Sequence, residues 1–392
     1  MSLNATPSGE RVHIGIFGRR NAGKSSILNA ITSQDLAIVS DTPGTTTDPV
    51  SKAMELLPLG PVVITDTPGL DDEGELGELR VGKAYEALRK CKIALIVVDS
   101  TVGLTQFEEN LIKEAKDRQI AFVLCFNKCD AARDGLIKVS DAIYVSAKTG
   151  EGINELKEKL AHVLPSANEK RIVGDLINAG DVIVLVVPID SAAPKGRLIL
   201  PQQMAIRDIL DEGAIPVVTR ETELKETLSK LVAMPKLVIT DSQAFKVVNE
   251  IVPKDVPLTS FSILMSRYKG EFDWQLEGAK AIETLEDGDI VLISEGCTHH
   301  RQCGDIGTQK LPKLVKGYSN KEISFEFTSG GEFPSDLSKY KMIIHCGGCT
   351  LNEEEMKYRI KHAIISNVSI TNYGMMIAYV NGILERSIQF FN

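Results

Sequence analysis

Gly18-Arg19-Arg20-Asn21-Ala22-Gly23-Lys24-Ser25 fits G-x-x-x-x-G-K-S, and it follows an apolar run at 12–17 and opens a helical pattern. Glycines at its two ends let backbone N–H groups close on phosphates, with Ala22 and the following Ser26 in the same cradle. Lys24 can reach the terminal phosphates, and the Ser25 hydroxyl is placed for magnesium. Asp66-Thr67-Pro68-Gly69 follows the run 62–65, where Asp66 can hold the magnesium shell and Gly69 can offer its N–H to a γ-phosphate. Asn127-Lys128-Cys129-Asp130 follows another run, and the Asp130 carboxylate can accept from the N1–H and 2-amino group of guanine, a donor pair adenine lacks. Ser146-Ala147-Lys148 can bring a backbone N–H to the guanine carbonyl. Four such elements in order, each at the end of an apolar run, imply GTP or GDP with magnesium.

A second group of residues invites metal chemistry. Of seven cysteines, Cys297, Cys303, Cys346 and Cys349 lie in the last hundred residues, near His299 and His345. Cys297-Thr298-His299 follows the run 290–294, and His345-Cys346-Gly347-Gly348-Cys349 follows 342–344. If those two strands are parallel neighbours, three thiols and two imidazoles gather past one end of a sheet. Gly347 and Gly348 free the backbone so that Cys346 and Cys349 can face one ion. Ligand chemistry alone leaves zinc and an iron-sulfur cluster open. Cys91, Cys125 and Cys129 read as small buried hydrophobes instead.

These residues need strands to place them. Apolar runs at 12–17, 62–65, 93–98, 120–126 and 142–145 alternate with helical patterns, which implies parallel βαβ units. Pro165 and the polar stretch 166–170 read as a linker. Strand candidates at 181–187, 215–219, 236–240 and 258–263 follow, with helices at 201–211, 221–232 and 243–251. Further strands at 290–294, 323–327 and 342–345 imply a third α/β layer. The expected organisation is therefore a P-loop α/β domain over 1–166 and two smaller α/β domains over 171–264 and 265–392. The middle one, without ligand chemistry, is expected to make a homodimer through exposed edge strands.

Bulk properties narrow the partners. A formal charge of -9 argues against non-specific nucleic-acid binding, which rests on Lys and Arg. The opening residues lack the apolar core of a signal peptide and no run reaches a membrane span, so the expectation is a cytoplasmic chain with reduced thiols and no membrane partner.

Residues 11–165 resemble the GTPases of tRNA modification and ribosome assembly. In that resemblance Asp41-Thr42-Pro43-Gly44-Thr45-Thr46-Thr47-Asp48 is the first switch, and Thr46 is its magnesium-binding threonine. Leu70 stands where Ras-like enzymes place a water-orienting glutamine, so hydrolysis needs another device. Potassium-activated members use a P-loop asparagine to hold the cation, and Asn21 occupies that place. The resemblance thus assigns catalysis to Lys24, Asn21, Thr46, Asp66 and Gly69.

Over the whole chain, Cys297-x-His299 with His345-Cys346-x-x-Cys349 behind a GTPase domain resembles the [FeFe]-hydrogenase maturation GTPases, as does 188–203. What this implies is a 4Fe-4S cluster on Cys297, Cys346 and Cys349. His299 and His345 are candidates for the fourth iron or for hydrogen bonding around it. It also implies a scaffold that takes a diiron precursor from radical-SAM maturases and passes it to apo-hydrogenase. The competing readings are an RNA-associated GTPase and a zinc-stabilised GTPase switch.

Overall fold

The computed structural model describes residues 6–32, 50–57, 59–67, 75–132, 139–164, 170–188, 198–296 and 306–391. Its chain divides into two compact units, Met1–Asn168 and Glu169–Asn392, and each is described by itself.

In the first unit the described elements run β1 (Val12–Phe17), α1 (Lys24–Thr32), β2 (Val50–Leu56), β3 (Gly60–Asp66), α2 (Glu75–Arg89), β4 (Ile93–Asp99), α3 (Gln106–Asp117), β5 (Ala121–Asn127), β6 (Ile143–Tyr144) and α4 (Ile153–His162). The sheet order is β2-β3-β1-β4-β5-β6. β3, β1, β4, β5 and β6 are parallel, and their continuous apolar runs are buried on both faces by helices. β2 is antiparallel to β3 and lies at the edge. Its sequence alternates, with Met54 and Leu56 turned inward and Ser51, Ala53 and Glu55 outward. A search for unbroken apolar runs passes over such a half-exposed edge strand.

The second unit holds two four-stranded parallel sheets. The first comprises β7 (Val182–Val186), α5 (Leu200–Asp211), β8 (Ile215–Thr219), α6 (Leu224–Lys230), β9 (Leu237–Thr240), α7 (Phe245–Ile251) and β10 (Leu258–Ser260), in strand order β10-β9-β7-β8. Then come α8 (Phe261–Lys269), α9 (Phe272–Lys280), β11 (Ile290–Glu295), α10 (Leu311–Ser319), β12 (Ser324–Ser329), β13 (Met342–His345), α11 (Glu353–Ile365), β14 (Ser369–Asn372), α12 (Tyr373–Val380) and α13 (Leu384–Ile388). The second sheet has the order β12-β11-β13-β14. The strand expected at 258–263 stops at Ser260, whose hydroxyl accepts the N–H of Ile263 and caps α8. That helix runs across 264–265, and the chain turns towards the second sheet at Gly270, whose φ is 96°. One hydrophobic cluster joins Val184, Val238 and Phe245 of the first sheet's layer to Met375, Ala378 and Leu384. The two sheets therefore share a core and stand as one compact unit.

Candidate functional site

Every nucleotide motif within the described residues sits at the C-terminal end of a strand of the first sheet. Gly18 has φ 148°, and a Cβ there would lie 2.3 Å from the carbonyl oxygen of Val97 in β4. Gly23 has φ 90°, and a Cβ would lie 2.1 Å from Nδ2 of Asn127. Both positions thus require glycine for conformation and for space. Asn21 is also left-handed, at φ 62°.

Asn127 fastens the motifs together. Its Nδ2 donates to the Ala22 carbonyl at 3.0 Å, and its Oδ1 accepts the N–H of Ala147 at 3.1 Å. The phosphate loop and the Ser146-Ala147-Lys148 turn are in this way held by one buried amide. Ser146 is fully buried and accepts the N–H of Thr149, which shapes that turn. Lys128, at φ 65°, reaches Asp99 Oδ2 at 2.6 Å. Burial alone would raise the Asp99 carboxyl, but hydrogen bonds from Lys128 and Thr101 hold it below the usual range. Asp130 lies partly exposed at the end of this segment.

Magnesium finds a matching donor set. Ser25 Oγ donates to Asp66 Oδ2 at 2.8 Å, and Asp66 Oδ1 is buried without a hydrogen-bond partner among the described residues. Burial pushes the Asp66 carboxyl up, against the opposing effects of Ser25 and Lys24. A half-satisfied carboxylate with one buried oxygen, beside a hydroxyl, fits a hard cation with oxygen ligands. Lys24 is buried, and its Nζ donates to the carbonyls of Gly18 and Arg19, both at 3.0 Å. Thr46, Gly69 and Leu70 lie outside the described residues.

In the second unit β11 and β13 are parallel neighbours, with Ser294 opposite His345. The chain therefore leaves both strands side by side. The N–H groups of Gly296 and Gly348 point at Cys346 Sγ, at 3.0 and 3.4 Å. Gly348 is left-handed at φ 62°, and a Cβ there would strike the Met356 sulfur at 2.5 Å. Cys346 and Cys349 are partly exposed and not disulfide-bonded. Amide donors aimed at an accessible sulfur suit a metal-bound thiolate, so Cys346 fits a thiolate ligand of a cluster, with the thiol of Cys349 three residues on. Cys297, His299 and Cys303 lie outside the described residues, and no group of three metal-ligating side chains forms among the described ones.

His345 is fully buried, and both of its nitrogens are engaged. Nδ1 donates to the Cys346 carbonyl at 2.8 Å, and Nε2 accepts from Arg359 Nη1 at 3.0 Å. Burial and then the Arg359 guanidinium push its pKa down to about 3, so the ring is neutral. In this conformation it shapes the loop and presents no free lone pair. Arg359, from α11 and also fully buried, reaches three strand ends: Ser294 Oγ near the end of β11, the Gly330 carbonyl just after β12, and His345 at the end of β13. Its charge is met by Glu355 at 2.8 Å. Sequence reasoning missed Arg359 and Asp99; the only signal was the i, i+4 spacing of Glu355 and Arg359.

The three remaining cysteines are buried in the first unit, as expected of packing residues. Burial raises the Cys91 thiol to about 12, and its Sγ–H donates to the Ala87 carbonyl. Such thiols are inert.

Three family models match the chain: "50S ribosome-binding GTPase" over 13–128, "Hydrogen maturase F dimerization domain" over 172–270 and "Hydrogen maturase F tetramerization domain" over 273–390. Among curated relatives, the tRNA modification GTPase MnmE of Thiobacillus denitrificans is 33% identical over 152 residues, covering 38% of this chain and 33% of its own length. The GTPase Der of Kosmotoga olearia is 29% identical over 170 residues, 38% of each chain. The chain spans about a third of the length of these relatives. Among solved structures, Aquifex aeolicus Era bound to GDP and AlF4- aligns at 18% identity and TM-score 0.35, over 53% of this chain and 91% of that one. The two maturase models together span more than half of the residues, and the chain belongs to the hydrogen maturase F family.

Proposed function

We propose that this chain is a GTP-hydrolysing scaffold of [FeFe]-hydrogenase maturation. In this reading Asp130 selects guanine, Lys24 meets the terminal phosphates, and Ser25, Asp66 and Thr46 hold magnesium, with Gly69 at the γ-phosphate. Asn21 holds a potassium ion that offsets charge developing between the β- and γ-phosphates, since Leu70 has no polar group for this. Cys297, Cys346 and Cys349 hold a 4Fe-4S cluster. When bound, such a cluster with one iron open or exchangeably ligated supplies an attachment point for a diiron cargo. His299 is left as the imidazole candidate for that position, because both nitrogens of His345 are occupied. Gly296 and Gly348 stabilise the thiolate of Cys346 through their N–H groups.

The partners in this proposal are radical-SAM maturases as donors of the diiron precursor and apo-hydrogenase as acceptor. The segment 171–264 serves as the dimerisation module and 265–392 as the cluster-binding module. β8 supports the dimer, because it is an edge strand with Ile215 and Val218 half exposed, whereas all three residues of the opposite edge, β10, are buried. No helix among the described residues is long and apolar enough to cross a membrane, and we place the protein in the cytoplasm.

The observation that carries the reading is the pair of amide donors on the Cys346 sulfur, in a chain whose other unit holds a guanine-nucleotide motif set. An RNA-associated GTPase would share the first unit alone. Iron and acid-labile sulfide analysis of anaerobically purified protein, with spectroscopy of the reduced state, tests the proposal. About four irons and four sulfides per chain are expected. Colourless protein with one zinc per chain would replace the scaffold with a zinc-stabilised switch.

A further inference from the structure

The stretch from the last residue of β4 through the first turn of α3 carries none of the four nucleotide motifs, yet its side chains hold two of them. Glu108 in α3 is fully buried, and its Oε1 accepts Arg19 Nε at 3.1 Å, across 89 residues of sequence. Its other oxygen accepts the backbone N–H of Thr105 at 3.0 Å and the Thr105 hydroxyl, which closes the cap of α3. At the start of the same stretch Asp99, the last residue of β4, takes Lys128 Nζ through Oδ2, and the Thr101 N–H and hydroxyl through Oδ1. One short segment therefore grips the phosphate loop with one carboxylate and the base-recognition segment with another.

The grip on the phosphate loop is a constrained one. A carboxylate with no solvent exposure is costly unless a cation and donors meet it, so the Arg19 guanidinium is fixed where Glu108 stands. Arg19's backbone is fixed as well, because its carbonyl accepts Lys24 Nζ at 3.0 Å and the Ala22 N–H at 3.3 Å. Freeing the guanidinium would release the first residue after Gly18, and with it the direction of the N–H groups that follow.

We infer that Glu108 is a positioning residue for the nucleotide: through Arg19 it sets affinity for the diphosphate shared by GDP and GTP, while Asp99, through Lys128, acts on the base. The inference rests on the GTP-binding reading. It predicts a split that general destabilisation would not produce.

The test is the affinity and release rate of a fluorescent GDP, measured in magnesium on the full-length chain. Glu108→Gln keeps the size and an oxygen for the Thr105 N–H but loses the charge facing Arg19. The dissociation constant is expected to rise about tenfold, equal to about 1.4 kcal/mol. The loss should appear mainly as faster release, with kcat at saturating GTP within about twofold of the parent and the preference for guanine over xanthine nucleotides unchanged. Arg19→Met should weaken GDP to the same extent, Arg19→Lys should recover part of the loss, and the double variant should be no weaker than either single one. The double variant removes both charges and so remains informative if a single variant leaves an unpaired buried charge and unfolds. Unchanged GDP release in Glu108→Gln, whatever its melting temperature, would make the pair purely structural. Additive losses in the double variant, or a changed base preference, would equally overturn the inference. A parent protein that binds no GDP would sink the GTP reading itself.

Discussion

Asn21 carries two demands that its sequence position alone does not separate. Its backbone is left-handed, at φ 62°, a conformation in which asparagine is tolerated better than most residues. That geometry accounts for the residue without any cation, so an alanine substitution would mix backbone strain with loss of the amide. Glycine adopts the same φ freely and removes only the side chain. Asn21→Gly is therefore expected to bind GTP within about threefold of the parent while the ratio of hydrolysis rates in potassium and sodium falls to about one. A potassium response that persists in Asn21→Gly would return Asn21 to a purely conformational role. At this scale the sequence was informative wherever chemistry demands contiguous residues, as in the phosphate loop and the C-x-x-C turn. It was silent on Arg19–Glu108 and Arg359–His345, whose partners lie 89 and 14 residues apart, on different elements, and share no local pattern.

Elements are set by local sequence more completely, and the exceptions have physical causes. Parallel strands buried on both faces, such as β1, β4, β5, β7 and β11, are long apolar runs and were visible as such; the short β14, with polar residues at both ends, was passed over. So was β2, because an edge strand with one exposed face alternates polar and apolar residues. The end of β10 was missed because apolar residues continue into α8, and only the Ser260 hydroxyl marks the change of period. The edge strand β8 carries a prediction of its own. Ile215 and Val218 are 50% and 48% exposed on a strand that pairs with β7 on one side only, an arrangement that invites pairing with a second copy along its other edge. A lysine there is a known guard against such pairing, and two-fold symmetry presents it twice to the interface. Val218→Lys should weaken self-association at least about tenfold in sedimentation or light scattering, with GTP turnover retained. An unaltered dimer in that variant would place the interface elsewhere in the second unit.

At the scale of the whole molecule, nucleotide chemistry and thiol chemistry occupy different compact units: Lys24, Ser25, Asp66 and Asn127 in the first, Cys346 and Cys349 in the second. No described residue serves both sites, so the two activities should separate by mutation. Lys24→Ala removes the cation that meets the terminal phosphates, and hydrolysis should fall at least about 100-fold. Its iron and sulfide content should stay near the parent level, because the cysteine loop is held by Arg359, His345 and the Gly296 N–H, all within the second unit. Cys346→Ser should do the reverse. A serine hydroxyl stays protonated where a thiol ionises and is a much poorer iron ligand, so cluster content should collapse while GTP turnover persists. Neither variant should activate apo-hydrogenase if delivery needs both sites. Parent-level maturation by Cys346→Ser would show that the cluster is not where the diiron cargo attaches. The scaffold mechanism would then fall, although membership of the family would stand.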